Sequence, residues 1–349
     1  MTEWMPVGKL DPRLLAELLH TAPLDASVVV GPGPGRDVAV VDAGGEGYLL
    51  LTADPITFAT EEIGLYAVTV NVNDIATAGG VPRWLLATVL LPEHGTGEDF
   101  ARDVQQQLET ACREHSIALV GGHTEVTRGL NRPLVLGALV GEVPRDALVR
   151  SDGGRPEDAV LLTRGAALEG SCILAREHRD ALRQADFAAE FLERCAGFMR
   201  SPGLCVLPAA RAFARATRVH TMHDPTEGGI ATALWELAES SSLALRVDAA
   251  AIPVLAETRR LCSHFGLDPL GLIASGALLA LVEAADAQAA IASCEDAGIP
   301  CARIGRAEAA DLSGPRVLDS GTGRPLPRFT QDEIARVPES GDRHLGRGR

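Results

Sequence analysis

Five times in this chain, a stretch that reads as a strand or helix runs into a short segment joining glycine or a small polar residue to an acidic one. The segments are Gly35-Arg36-Asp37, Thr52-Ala53-Asp54, Asn71-Val72-Asn73-Asp74, Gly122-His123-Thr124-Glu125 and Asp224-Pro225-Thr226-Glu227-Gly228-Gly229. Singly, each reads as readily as a helix cap or turn, because Asp and Asn cap helix starts and glycine closes helix ends. Asp224, with Pro225 after it, fits an N-cap followed by the first helical position. Together the segments describe an alternating α/β chain whose loops bring carboxylates and close-approaching backbone to one region.

The rest of the pattern fits two domains. Residues 1–27 form an arm with one short helix over 11–20, capped by Asp11 with Pro12 behind it. A first α/β domain follows over 28–145. It has a strand at 48–52 delivering Asp54 to a loop, a helix at 61–78, strands at 84–91, 117–120 and 134–140, and an amphipathic helix at 97–115. Leu65, Val68, Val72 and Ile75 recur at helical spacing. Asn71 and Asp74 lie one turn apart on the opposite face, where both would point into a cleft. A hinge at 141–156 leads to a second domain over 156–310, with strands at 159–163, 218–222, 243–247, 277–282 and 301–304. The polar tail, 311–349, is expected to be partly disordered, above all over 340–349.

Composition excludes several classes. A net charge of −15 argues against a nucleic-acid surface. The apolar runs fall well short of the ~20 residues of a membrane span. The first residues carry no signal-peptide pattern, so a cytoplasmic protein is expected. Of 32 basic residues, Lys9 is the one lysine, and it stands outside any phosphate-binding glycine loop or kinase strand motif. It reads as a solvated surface residue, with reach to a phosphate as the alternative. Cysteines 112, 172, 195, 205, 262, 294 and 301 have no metal-ligand spacing and read as reduced structural thiols. Carboxylates converging without lysine bind phosphate poorly alone, but well with Mg²⁺ between them.

Gly-Arg-Asp-Val-Ala-Val (35–40), Asp54, Asn-Val-Asn-Asp-Ile-Ala (71–76), Gly-Gly-His-Thr-Glu (121–125) and Met-His-Asp-Pro-Thr-Glu-Gly-Gly-Ile-Ala (222–231) occur in order. Together they resemble the aminoimidazole ribonucleotide (AIR) synthase, or PurM-like, superfamily, and look most like its hydrogenase-maturation HypE branch. Glu-Gly-Ser-Cys-Ile-Leu-Ala (169–175) is similar to the start of that family's C-terminal domain. The resemblance implies an N-terminal α/β domain dimerising through its sheet, a C-terminal α+β domain, and ATP with Mg²⁺ in a cleft near the dimer interface. It also implies transfer of the γ-phosphate to an oxygen of an amide, carbonyl or similar acceptor.

By motif, the resemblance gives Asp54, Asp74, His123 and Asp224 catalytic roles, and metal contact to Asp37, Asp54, Asp74 and Glu125. It gives nucleotide contacts to Gly35, Arg36, Asp37, Asn71, Asn73, Gly121, Gly122, Thr124, Thr226, Gly228 and Gly229. His223 abuts this set as a candidate acid or base. The acceptor, a small molecule or a protein, is not implied.

The chain departs from the HypE pattern in places. His123 stands where HypE has an acidic residue, leaving Glu125 to replace that ligand, His123 to ligate, or one metal to be missing. Arg36 stands at an often acidic position and is placed to contact a phosphate directly. Glu227 replaces an Arg, and the last cysteine is Cys301 where HypE ends in one. These departures keep two alternatives open: a non-catalytic nucleotide-binding maturation scaffold, and a small-molecule kinase of the thiamine monophosphate kinase type.

Overall fold

The computed structural model describes residues 5, 8–311 and 314–338; the expected disorder at 340–349 lies outside them. Asp11 caps α1 (Pro12–Leu19) as its sequence demands, its carboxylate accepting from the backbone N–H groups of Arg13 and Leu14. The first sheet is built from β1 (Val28–Val30), β2 (Ala39–Val41), β3 (Gly47–Ile56), β4 (Val81–Pro92), β5 (Ala118–Thr127) and β6 (Leu134–Pro144). Its order is β1-β2-β3-β6-β4-β5, antiparallel except for the parallel β4–β5 pair at one edge. Two helices cover one face, α2 (Ile63–Thr77) and α3 (Glu98–Glu114). Leu50, Leu85, Val135 and Leu139 of the sheet pack with Val68, Val72 and Ile75 of α2 and Val104 and Leu108 of α3.

Three expectations change here. The strand at 48–52 runs on through Asp54, which pairs with Gly137 inside the sheet instead of sitting in a loop. The Gly121–Glu125 segment is likewise strand, the middle of β5, because the glycines are what let it lie against β4. A Cβ on Gly122, at φ +144°, would stand 1.8 Å from the Ala87 carbonyl oxygen. Finally, α2 has no open face. It is buried all round, between the first sheet and elements of the second domain.

The second domain begins with β7 (Ala159–Thr163) and a helical run of α4 (Leu168–Glu177), α5 (Arg179–Gln184), α6 (Ala189–Ala196) and α7 (Leu207–Ala216). It continues through β8 (Val219–His223), α8 (Gly229–Ser240), β9 (Leu243–Val247), α9 (Ala256–Phe265), β10 (Leu279–Val282), α10 (Ala287–Asp296), β11 (Cys301–Ala309) and β12 (Val317–Asp319). The sheet order is β12-β9-β11-β7-β10-β8. Val160, Leu162, Leu279 and Leu281 face α8, while Leu161, Ala280 and Val282 face the opposite way, toward the core shared with the first domain. That two-sided burial is why β7 and β10 read as continuous apolar runs. The segment expected as a polar tail supplies β12 and a 3₁₀ turn at Glu333–Arg336, with Asp332 and Glu333 buried. No helix among the described residues is long and apolar enough to cross a membrane.

The outer face of the first sheet is uncovered and apolar. Leu51, Trp84, Leu86 and Leu136 are exposed there, Leu86 by 47%. Alternation along β3 and β4 puts these side chains opposite the ones that meet α2.

Candidate functional site

Where the two domains meet, the loop before β2, strand β3, helix α2 and the end of β8 bring carboxylates together. Asp54 and Asp74 come from adjacent elements. The Asp54 backbone N–H donates to Asn71 Oδ1, and Thr52 Oγ1 donates to Asp74 Oδ2. Asn71 Nδ2 in turn donates to the Ala67 carbonyl, so Asn71 fixes backbone instead of facing a cleft. Asn73 reaches the other way. Its Nδ2 donates to the Leu204 carbonyl and its Oδ1 accepts from Val206 N–H, which clamps the second domain to α2.

From the second domain, His223 closes the gap to Asp37. His223 Nδ1 bonds both Asp37 oxygens at 3.0 and 3.1 Å, and Nε2 meets Glu236 Oε2 at 3.0 Å. A ring with a carboxylate at each nitrogen is an imidazolium donating both ways. Burial works against that charge, but Asp37 and Glu236 override it and raise the His223 pKa well above its ordinary value. Gly35 lets the Asp37 loop approach: at φ +66°, its Cβ would lie 3.1 Å from the Glu236 carbonyl.

Asp224 is not a cap. Helix α8 starts later, with Gly228 in the left-handed region at its N-cap and Gly229 as its first residue. Asp224 is 1% exposed, and its Oδ2 has no hydrogen-bond partner. Burial, with Asp37 and Asp54 nearby, raises its pKa well above the carboxylate range. Asp74 is raised likewise by burial and by Asp54, Asp224 and Asp37. For Asp54, burial and the charges of Glu227 and Asp37 push the carboxyl up to about 6, against the pull of Lys9.

Lys9 is exposed, as a surface lysine would be, but it has partners at the rim of the cluster. Its Nζ donates to Thr226 Oγ1 at 3.0 Å and stands 3.5 Å from Glu236 Oε1 and 3.9 Å from Glu227 Oε2. Despite burial, Lys9 and His223 hold the Glu236 carboxyl down at about 2. Arg36 is the reverse case. It too is exposed, but its guanidinium folds back onto the carbonyls of Gly31 and Pro32, away from the cluster.

The β5 motif stands apart. Asp54, Gly137, Ala87 and Gly122 form one row across the sheet. Three strand spacings of ~4.8 Å put Gly122 about 14 Å from Asp54. Gly121, Thr124 and the bonded pair His123–Glu125, 3.1 Å apart, are exposed along that edge. Within one chain the structure therefore assembles Asp37, Asp54, Asp74, Asp224 and Thr226, and leaves residues 121–125 outside. A cavity of about 560 Å³ between α2 and α3, lined by Glu61, Phe100, Gln107 and Arg200 among others, holds none of the motif residues.

Glu236, Glu169 and Asp332 were not singled out as site residues from the sequence. Glu236 sits on α8 with no local motif. Asp332 Oδ2 accepts from Gly228 N–H at 2.7 Å, a contact from the far end of the chain. Glu169 carried a signal, an acidic residue inside an otherwise apolar α4 start, and it is 4% exposed with an unpartnered Oε2.

Two successive α/β-type domains are the organisation of AIR synthase-related proteins, whose N- and C-terminal domains match in that order. Residues 35–143 match the N-terminal domain model of AIR synthase related proteins and residues 155–317 the C-terminal one, so the chain belongs to that family. It is 32% identical over 318 residues to the carbamoyl dehydratase HypE of Rhizobium leguminosarum bv. viciae, covering 87% of this chain and 85% of the relative. A crystal structure of hydrogenase maturation protein HypE in complex with ATP is similar with a TM-score of 0.64 at 27% identity, covering 93% of this chain and 92% of that one. Thiamine monophosphate kinase from Aquifex aeolicus shares the fold, with a TM-score of 0.64 at 19% identity over 90% of this chain and 96% of its own.

Proposed function

We propose that the chain is an ATP- and Mg²⁺-dependent enzyme that transfers the γ-phosphate to an oxygen of an amide, carbonyl or similar acceptor, and that it works as a homodimer. The observation that carries the reading is the junction cluster. Asp74 and Asp224 are buried carboxyls whose charged forms are disfavoured, and Asp224 Oδ2 has no partner in the protein. Groups in that state either keep their protons or exchange them for a cation, and a set of carboxylate oxygens suits Mg²⁺. Ligand atoms of Asp37, His223 and Asp224 lie within 4.8 Å of one another. His223 has both nitrogens on carboxylates, so it orients Asp37 and Glu236 and is not itself a ligand. Asp37, Asp54, Asp74 and Asp224 would hold the metal. When bound, Mg²⁺ supplies the positive charge that lets a triphosphate sit among carboxylates.

The protein's own part is positioning and electrostatics. Asp54 and Asp74 are fixed to β3 and α2 by Asn71 and Thr52, while Asp224 and Thr226 come from the second domain. The loops at Gly35–Asp37 and Thr226–Gly229 form the rim. The ATP complex of the related HypE supports the nucleotide, and the relatives' names support hydrogenase maturation as the setting. The uncovered apolar sheet face supports the dimer.

A second reading, a nucleotide-binding scaffold without turnover, is favoured by the His123–Glu125 pair standing outside the cluster. Calorimetric titration of ATP with and without Mg²⁺, into the protein and Asp54→Ala, tests the site. Binding that needs Mg²⁺ and is lost in the variant is expected; binding indifferent to both refutes it. Steady Mg²⁺-dependent phosphate release with an acceptor then separates the enzyme from the scaffold.

A further inference from the structure

Six acidic residues, Asp37, Asp54, Asp74, Asp224, Glu227 and Glu236, gather around only two basic ones, His223 and Lys9. A triphosphate entering the cluster meets like charge, and Mg²⁺ ligated by those same carboxylates offsets only part of it. His223 is committed on both nitrogens and Arg36 is turned away. Lys9 remains, and its circumstances differ from those of a structural ion pair. Its side chain is 45% exposed, it donates to Thr226 Oγ1 at 3.0 Å, and its carboxylate neighbours Glu236 and Glu227 stand at the looser distances of 3.5 and 3.9 Å. An ammonium has three donors, and long contacts of this kind are readily exchanged for another acceptor. The segment that carries it is lightly held, because α1 buries none of its residues.

Resting on the nucleotide reading above, we propose that Lys9 is the phosphate-contacting cation of the site. Without nucleotide, its ammonium is parked against Thr226, Glu236 and Glu227. An incoming triphosphate draws it onto the phosphate oxygens and brings the arm down across the nucleotide. A flexible four-carbon stem ending in a compact charge suits this transfer between partners better than a guanidinium fork, in a chain that otherwise uses arginine throughout. The parked ammonium also places a positive charge beside the carboxylates that would hold the metal, so bare metal binds less tightly while Lys9 is present.

The test uses the full-length protein with Lys9→Met and Lys9→Arg. Lys9→Met is expected to weaken Mg·ATP binding by about tenfold or more, the usual worth of a charge-assisted hydrogen bond, while tightening Mn²⁺ measured alone. Lys9→Arg, which keeps the charge, retains part of the nucleotide affinity and controls for folding. Because Lys9 is the one lysine, reductive methylation with ¹³C-formaldehyde gives a single dimethyl-lysine NMR signal besides the N-terminus. That signal is expected to shift when a non-hydrolysable ATP analogue and Mg²⁺ are added. Lys9→Met binding Mg·ATP like the wild type, or a lysine signal unmoved by nucleotide, overturns the assignment of Lys9 alone. A wild-type protein that does not bind nucleotide overturns the reading of the site and Lys9 with it.

Discussion

Replacing Glu169 by Gln should stabilise this protein, and by an amount that depends on pH. Glu169 opens α4, is 4% exposed, and leaves Oε2 without a partner. Burial pushes its carboxyl from an ordinary 4.5 up to about 7, with Glu227 and Asp332 adding to the rise and Ser275 opposing it. The folded state therefore binds this proton more tightly than the unfolded chain. Stability from the group is intact below 4.5 and is lost as pH rises through about 7. At ~1.36 kcal/mol per pH unit, the ionised carboxylate costs the fold about 3 kcal/mol by about pH 8. Gln has nearly the same shape and carries no charge, so it escapes that cost. For a chain of this length, the difference amounts to about 4 °C in melting temperature. Paired calorimetric melts of the two proteins should nearly coincide at about pH 4.5 and separate steadily toward about pH 8, the variant melting higher. A constant offset across pH, or a variant that melts lower at about pH 8, would refute the assignment of a strained, ionised Glu169.

Two further outcomes follow from the packing. Leu86→Asp puts a charge into the centre of the bare sheet face and should convert a dimer to a monomer in sedimentation equilibrium without lowering helix content; a monomeric wild type sinks the dimer. Asn73→Ala removes both bonds to the Leu204–Val206 segment and leaves a buried N–H and carbonyl unpaired, so it should cost about 2–4 kcal/mol of stability by denaturant titration. A loss below about 0.5 kcal/mol would mean the clamp between the domains lies elsewhere.

The sequence was most legible where one local rule decided the structure. Asp11-Pro12 starts α1, and the strand expected at 243–247 is found over those residues. Elsewhere tertiary context overrode the local rule. The apolar spacing of α2 suggested one buried face, but a helix between two domains is buried on every side, and its polar residues are the ones spent on backbone contacts. The glycines of β5 looked like a loop because glycine usually breaks a strand; here they permit close packing on β4, which depends on a neighbouring strand and not on the local pattern. Asp224-Pro225 looked like a cap because the true start of α8 depends on left-handed Gly228 and on its contact with Asp332. Of the cluster, Asp37, Asp54, Asp74 and Asp224 were all visible as motif residues. Glu236 was not, because only the fold brings α8 against the Asp37 loop.

The stretch Thr226-Glu227-Gly228 is touched from both directions along the chain. Lys9 reaches Thr226 from one side of the sequence, and Asp332 holds Gly228 from the other. During synthesis this stretch leaves the ribosome long before Asp332 exists, with the earlier partner already waiting and the later one missing. The rim of the cleft thus cannot adopt its finished shape until Asp332 has been made and can reach it. A chain cut short before Asp332 would lack that fastening even with every acidic motif residue in place.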